Sequence, residues 1–180
     1  ISKLRNKDFK YKKIYGDYIF AAGRLTKQKN FSFLIEFFYK INKKFPNLKL
    51  IIAGEGEKRE ELQTLTRKYK ISQKVNFVGY TKDLYRWMKE SYCFISTSSW
   101  EDPGFVLIEA AINRASIISS DCKNGPREIL LDGEAGYLYS SNDMDDLLEK
   151  FYKFNKDYEL YPKILYKKKV LAMKNIKIYS

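Results

Sequence analysis

The sequence predicts an α/β domain: a doubly wound parallel six-stranded Rossmann-like sheet with helices on both faces. Two observations support this. β-rich runs alternate with amphipathic helical patterns six times along the chain, and the runs are short and apolar, as in strands buried on both faces. A length of 180 residues allows one substantial core. We therefore expect one domain over residues 17–180, preceded by a peripheral basic segment over residues 1–16.

Each predicted strand is a short apolar run that ends in glycine or polar residues. In chain order these runs are residues 18–22, 48–53, 75–78, 92–95, 116–119 and 136–139. The predicted helices start at about residue 30, then span 58–68, 82–90, 105–113 and 126–131, and resume from 143 with a break at Pro162. In the first helix, for example, Leu34, Phe37 and Ile41 recur at close to the 3.6-residue period.

The composition removes several kinds of chemistry from consideration. The chain has no histidine, which is the commonest general base and metal ligand. Its two cysteines, Cys93 and Cys122, are far apart in sequence, which is typical of reduced thiols. No apolar run approaches the roughly 18 residues of a membrane span, and no signal peptide opens the sequence. We therefore expect a soluble, cytoplasmic domain whose chemistry relies on carboxylates, lysines or groups supplied from elsewhere.

The net charge of +12 predicts an anionic partner. Nucleic acid, an anionic membrane surface and a phosphorylated small molecule all have the matching sign. The basic residues are scattered rather than grouped in a patch. Nothing except the net charge supports a nucleic-acid partner, and we therefore expect none. The Tyr- and Lys-rich end, residues 152–178, suggests contact with an anionic membrane that carries a lipid acceptor. A solvated helical face is the alternative.

Loops at one edge of the predicted sheet concentrate the polar residues. Ligands of such sheets bind outside the carboxyl ends of the strands. The loops at that edge, residues 23–25, 54–56, 78–80, 96–104 and 121–126, all carry glycine, charge or both. In the first loop, Arg24 offers a forked guanidinium and Lys29 a mobile ammonium, which together can neutralise a pyrophosphate. Two solvated surface cations are the alternative.

The segment from Glu101 to Glu109 places two carboxylates eight positions apart. Pro103 and Gly104 lead into a helix start whose free N–H groups attract anions. The helix rises about 6 Å from Phe105 to Glu109 at 1.5 Å per residue. The carboxylates can therefore flank a diphosphate and accept hydrogen bonds from vicinal hydroxyls of a ribose and a hexose. In the alternative, Glu101 caps the helix and Glu109 is a surface residue.

Four motifs in this order resemble those of family 4 retaining glycosyltransferases (group 1). They are Gly23-Arg24-Leu25 through Lys29-Asn30, Phe77-Val78-Gly79, the Glu-x7-Glu segment, and Asn124-Gly125-Pro126-Arg127-Glu128-Ile129. The likeness covers about residues 17–148, the donor-binding C-terminal domain of these enzymes. It implies the GT-B architecture, in which two Rossmann-like domains face each other across a cleft. One departure is Glu101-Asp102-Pro103-Gly104-Phe105, where many members have Glu-Gly-Phe-Gly.

The resemblance implies a role for each motif. It assigns Arg24 and Lys29 to the donor diphosphate and Glu101 to the transferred sugar as the catalytic set. The substrate-binding set begins with Glu109, which would meet the ribose hydroxyls. The backbone of Gly104, Phe105, Val106 and Leu107 would meet the sugar and the phosphates, and Gly23 and Pro103 belong to the same set. The backbone of Phe77, Val78, Gly79 and Tyr80 would hold the base. No metal and no cofactor are implied, because the cations and the helix N-terminus take their place.

The implied function is transfer of a hexose-type sugar, with retention, from a UDP- or GDP-sugar to a glycan or lipid-linked acceptor. UDP is preferred, and the product is a surface polysaccharide or glycolipid. The N-terminal acceptor domain is an implied partner that this sequence lacks. We therefore expect an isolated domain, a truncated product or half of a split enzyme that is inactive alone. The expected place is the cytoplasm, with peripheral attachment to the inner face of the plasma membrane. The alternative is a non-catalytic nucleotide-sugar-binding or scaffolding module.

Overall fold

Six parallel strands form a single sheet in the computed structural model, which describes residues 17–102, 104–160 and 162–178. The strands are β1 (Tyr18–Ala22), β2 (Lys49–Ala53), β3 (Val75–Gly79), β4 (Cys93–Ser96), β5 (Ile117–Ser120) and β6 (Tyr137–Tyr139). Their order in the sheet is β3-β2-β1-β4-β5-β6, and every neighbouring pair is parallel. The predicted fold class is confirmed. The predicted segment over residues 1–16 lies outside the described residues.

The helices between the strands, and the two that follow the last strand, agree with the predicted pattern. They are α1 (Phe31–Asn42), α2 (Arg59–Lys68), α3 (Leu84–Glu90), α4 (Phe105–Ile112), α5 (Pro126–Ile129), α6 (Met144–Leu160) and α7 (Pro162–Ile178). The helix predicted over residues 126–131 is shorter, because the chain passes into a 3₁₀ turn at Leu131–Gly133, where Asp132 is left-handed at φ 50°. Among the described residues, no helix has the length and apolar character needed to cross a bilayer.

Alternate residues of β1 enter two separate cores, one on each face of the sheet. Ile19 and Ala21 face a core that contains the aromatic side chains of α1 and α6, where the Phe37 and Phe151 rings meet at 5.3 Å. On the opposite face, Phe20 packs in the core formed with α4 and α7, and the Trp87 ring stacks on it. Burying one such side chain contributes about 1.5–3 kcal/mol. Burial on both faces explains why the strands are uniformly apolar.

The strand order reverses between β1 and β4. The chain runs outward from β1 through β2 to β3, then crosses back to β4 on the other side of β1. The loops that leave the carboxyl ends of β1 and β4 therefore diverge and open a crevice, the usual ligand position in such sheets. The polar loops over residues 23–30 and 97–102 flank this crevice.

The loop after β1 is fixed against the loop after β2. The Gly23 amide donates to the Ala53 carbonyl at 3.0 Å, and the Leu25 amide donates to the Glu55 carbonyl at 2.8 Å. Gly54 makes this approach possible: its φ is +132°, and a Cβ there would lie 2.0 Å from the Gly23 carbonyl oxygen. Backbone packing at this glycine thus sets the position of one wall of the crevice.

Replacing Gly54 with alanine should destabilise the chain by about 3 kcal/mol or more, because the methyl group meets backbone atoms and the positive φ adds strain. Gly133→Ala is the matched control: its φ is +94°, but a Cβ there has no atom within 4 Å. We expect a loss of about 1–2 kcal/mol for the control. Urea unfolding measures both free energies, and equal losses would show that the close approach has no energetic weight.

Candidate functional site

Hydrogen bonds join the loops that follow β1 and β4. The Thr97 hydroxyl donates to the Lys29 carbonyl at 2.9 Å, and the Ser99 amide donates to the Gln28 carbonyl at 2.9 Å. The Gln28 side-chain amide in turn donates to the Trp100 carbonyl at 3.0 Å. These bonds connect two segments that are about 70 residues apart in sequence. The two walls of the crevice therefore have a defined position relative to each other.

An ion pair between Lys29 and Glu101 lies across this junction. The Lys29 ammonium donates to both carboxylate oxygens, at 2.8 and 2.7 Å, and the Ser98 hydroxyl donates to Oε1 at 2.6 Å. Glu101 is only 2% exposed, whereas the Lys29 side chain is 13% exposed. A buried carboxylate is costly to desolvate unless a cation and hydrogen-bond donors surround it. The carboxylate therefore depends on Lys29, which lies nearer to solvent.

The start of α4 lies beside Glu101. Gly104 forms the N-cap with φ +81°, and a Cβ built there would lie 3.5 Å from the Glu101 Cβ. Among the described residues, no side-chain hydrogen bond caps this helix, and the Glu101 carboxylate bonds to Lys29 and Ser98 instead, which contradicts the alternative in which Glu101 caps it. The Leu107 amide donates to the Gly104 carbonyl at 2.9 Å. The amides of the exposed Phe105 and the half-buried Val106 have no partner within the described part of the chain, so the first turn keeps its attraction for anions.

Two predicted residues lie apart from this pair. Arg24 is exposed, and its guanidinium has no hydrogen-bond or ion-pair partner among residues 17–102, 104–160 and 162–178. Glu109 lies on the exposed side of α4, and partial desolvation raises the pKa of its carboxyl. Gly23 contributes space, because a Cβ there would lie 3.1 Å from the Lys29 Cε. The structure thus brings Lys29 and Glu101 together and leaves Arg24 and Glu109 available for other groups.

The loop predicted to hold a base follows β3. The Arg59 guanidinium donates to the Phe77 carbonyl at 3.2 Å and pairs with the Glu55 carboxylate at 3.0 Å. The Gly54 amide donates to the Gly79 carbonyl at 2.8 Å. Beyond Gly79, the Tyr80 ring is 81% exposed. Of the remaining predicted residues, Val78 is half-buried against the core on the α4 side of the sheet, and Pro103 lies outside the described residues.

The hydroxyl groups that support the Lys29–Glu101 ion pair were not among the predicted site residues. Thr97 is 3% exposed and Ser98 is 1% exposed, and Ser120 of β5 donates its hydroxyl to the Ser98 carbonyl at 2.6 Å. A signal was present in the sequence, since four hydroxyl residues, 96–99, follow an apolar strand directly. Such a run at a buried strand end requires hydrogen-bond partners.

An open cavity of about 550 Å³ extends the crevice beyond β5. Its lining includes Asp121, Cys122 and Arg127, and the Arg127 guanidinium pairs with the Asp121 carboxylate. Burial raises the pKa of the Cys122 thiol. Within the described ranges, no group of three or more Cys, Asp or Glu side chains is placed to hold a metal ion. The cavity is large enough to admit part of a small-molecule substrate, although neither Lys29 nor Glu101 lines it.

Comparison with known proteins identifies the family. The sequence model described as "Glycosyl transferases group 1" matches residues 5–170. The chain belongs to this family. The four motifs on which the resemblance was based thus lie in a true group 1 glycosyltransferase domain.

Two curated relatives show how much of such a protein this chain represents. An uncharacterized glycosyltransferase of Methanocaldococcus jannaschii is 43% identical over 122 residues, which is 67% of this chain and 30% of that protein. The amylovoran biosynthesis glycosyltransferase AmsD of Erwinia amylovora is 36% identical over 128 residues, 70% of this chain and 35% of that protein. The matched part of the chain spans about a third of the length of these relatives.

A solved glycosyltransferase shares the fold. A variant of S. aureus TarM, crystallised with fondaparinux, α-GlcNAc-glycerol and UDP, superimposes with a TM-score of 0.81 at 24% identity. The alignment covers 98% of this chain and 34% of that protein. The agreement shows that this chain has the same fold as the corresponding part of that protein.

The ion pair generates a stability prediction. Lys29→Met should lower the free energy of unfolding by about 3 kcal/mol, because it leaves the Glu101 carboxylate buried without its cation. Glu101→Gln should cost less, about 1–2 kcal/mol, since the remaining ammonium lies nearer to water. The double variant should lose clearly less than the sum of the two. Urea unfolding of the four proteins gives these values, and additive losses would contradict the coupling.

Proposed function

We propose that this domain binds the nucleoside diphosphate of a sugar donor, with UDP preferred, and forms the donor half of a retaining glycosyltransferase. The observation that carries the proposal is the Lys29–Glu101 pair, which lies at the β1/β4 switch point beside the uncapped start of α4. Family membership supports sugar transfer, and the UDP bound in the TarM variant supports the choice of nucleotide.

In this proposal, Arg24 and Lys29 neutralise the diphosphate. The Arg24 guanidinium is exposed and has no partner among the described residues, so a phosphate can approach it without breaking an existing bond. Lys29 has three N–H donors, so it can retain Glu101 while it donates to a phosphate oxygen. Departure of the nucleoside diphosphate adds negative charge to the phosphate. The two cations and the first turn of α4 stabilise that charge, and no metal ion is required.

The two glutamates bind the sugars on either side of the diphosphate. Glu101 accepts hydrogen bonds from hydroxyls of the transferred hexose, and Glu109 accepts them from the ribose. The Glu109 carboxyl suits this role because it is exposed and has no hydrogen-bond partner in the described ranges. The base lies against the backbone of the β3 loop, where Tyr80 is exposed. Retention of configuration follows from the family resemblance.

Transfer requires more protein than this chain provides. Because the matched part of the chain covers only about a third of its relatives' length, we propose that an N-terminal domain of the same enzyme binds the acceptor. The chain alone then binds the donor without transferring the sugar. The AmsD relative acts in amylovoran biosynthesis, which supports a polysaccharide or lipid-linked acceptor for this protein also.

The nucleotide prediction is tested by calorimetry in EDTA. UDP should bind the folded chain without metal, and Arg24→Ala and Glu109→Ala should each weaken binding by about tenfold, the value of one charge-assisted hydrogen bond. Arg67→Ala is the control, since this exposed arginine lies at the end of α2 and pairs locally with Thr64. A folded chain that binds neither UDP nor GDP would refute the proposed function.

We further propose that an anionic membrane surface is a partner through α7. The helix carries six lysines and no acidic residue. Lys168 turns inward, where its ammonium donates to the Gly133 carbonyl at 2.7 Å and the Gly136 carbonyl at 3.0 Å. Lys163 and Lys167 are exposed instead, and the ring of Tyr166 beside them is 66% exposed. Exposed lysines with an aromatic ring are suited to anionic headgroups. This surface would keep the enzyme near a lipid-linked acceptor.

Vesicle sedimentation tests the membrane partner. The chain should bind phosphatidylglycerol vesicles and not phosphatidylcholine vesicles, and salt should release it. Reversing two charges, Lys163→Glu with Lys167→Glu, should weaken binding by tenfold or more, at about 1 kcal/mol per basic residue. Lys68→Glu with Lys70→Glu makes the same charge change at exposed positions near the end of α2. If both pairs weaken binding equally, net charge alone explains it and α7 has no special role.

A further inference from the structure

The hydroxyl of the buried residue Ser98 donates a hydrogen bond to the carboxylate of Glu101. Ser98 is 1% exposed, and its hydroxyl donates to Oε1 of Glu101 at 2.6 Å. Its carbonyl is held in turn by the Ser120 hydroxyl at 2.6 Å, and Ser120 is fully buried in β5. Ser98 is therefore fixed from the sheet side and directs its hydroxyl at a single carboxylate oxygen.

Two hydrogen-bond donors of different mobility, Lys29 and Ser98, hold the Glu101 carboxylate. Lys29 contacts both oxygens, but its side chain is long and 13% exposed, and the proposed diphosphate competes for its N–H groups. The Ser98 hydroxyl contacts only Oε1 and is rigidly placed. When Lys29 shares its donors with a phosphate, Ser98 is the donor that keeps the carboxylate in one orientation. Oε2 is then available to accept a hydrogen bond from a sugar hydroxyl.

We propose that Ser98 is a positioning residue for sugar recognition: it holds Glu101 so that the carboxylate can bind a hydroxyl of the transferred sugar. This inference rests on the proposed function and adds a residue to it. Ser98 does not touch the nucleotide in this arrangement. Its loss should therefore weaken binding of a nucleotide sugar and leave binding of the bare nucleotide nearly unchanged.

The binding experiment compares UDP with UDP-glucose and UDP-N-acetylglucosamine by calorimetry. For Ser98→Ala, we expect the Kd of UDP to stay within about twofold and the Kd of the preferred UDP-sugar to rise by about tenfold, the effect of one misplaced charged hydrogen-bond acceptor. Ser98→Thr keeps the hydroxyl and should recover the sugar preference. Equal weakening of UDP and UDP-sugar by Ser98→Ala would overturn the inference and make Ser98 merely structural.

Ser116→Ala is the matched control. Ser116 is also a buried serine, at 4% exposure, but its hydroxyl has no hydrogen-bond partner in the described part of the chain, and it precedes β5 at the opposite edge of the sheet. Its replacement should change neither UDP nor UDP-sugar binding. A shift in the UDP-sugar Kd that matched that of Ser98→Ala would show that any buried serine of this sheet has the same effect, and it would overturn the inference.

A second experiment needs no ligand. In a double-mutant cycle of Ser98→Ala and Glu101→Gln, the unfolding midpoints should be non-additive, because each change removes the same hydrogen bond. Additive midpoints would overturn the claim that Ser98 orients Glu101. If the wild-type chain bound no nucleotide, the proposed function would fail, and the inferred role in sugar recognition would fail with it. The cycle would still decide whether Ser98 positions the carboxylate.

Discussion

The buried ion pair between Lys29 and Glu101 is the interaction on which the arrangement of the crevice depends. A carboxylate that is 2% exposed must be compensated, and its cation comes from a loop 72 residues away in sequence. That requirement explains why the two loops are also joined by Thr97 and by Gln28, whose bonds fix the backbone around the pair. Loss of the pair would leave the bonds of Thr97, Ser99 and Gln28 to hold the two walls of the crevice together. The same two side chains therefore serve the stability of the fold and the chemistry proposed for it.

The sheet determines where this pair can form. β1 and β4 are adjacent in the sheet, and their loops diverge at their carboxyl ends because the chain winds outward in opposite directions from them. Gly54 brings the loop after β2 against Gly23, which in turn leaves room for the Lys29 side chain. Backbone packing at two glycines thus positions the ammonium. The hydroxyls of Ser98 and Ser120 do the same for the carboxylate from the β5 side.

Fold class, strand order along the chain and nearly all elements could be predicted from the sequence, because short apolar strands and the 3.6-residue helical period are local signals. The end of α5 was missed because the Asp132-Gly133 turn signal stands just beyond the predicted helix, whereas the left-handed conformation begins earlier, at Leu131. At the site, Lys29 was predicted to bind the diphosphate of the donor and Glu101 its sugar. The contact between Lys29 and Glu101 themselves was not predicted. That contact depends on β1 and β4 being neighbours in the sheet. The alternation of strands and helices along the sequence does not specify which strands are neighbours. Ser98 was missed for a different reason: its contact with Glu101 is local, but it depends on the conformation of the loop between them, which the run of hydroxyl residues does not specify.

The most direct measurement is a crystal structure of this chain with UDP bound. We expect diphosphate density at the carboxyl ends of β1 and β4, within hydrogen-bond distance of the Arg24 guanidinium and the Lys29 ammonium, with Glu101 still in contact with Ser98. UDP bound at the opposite edge, for example in the cavity lined by Phe45, Tyr92 and Asn155, with the crevice vacant, would contradict the proposed role of the crevice.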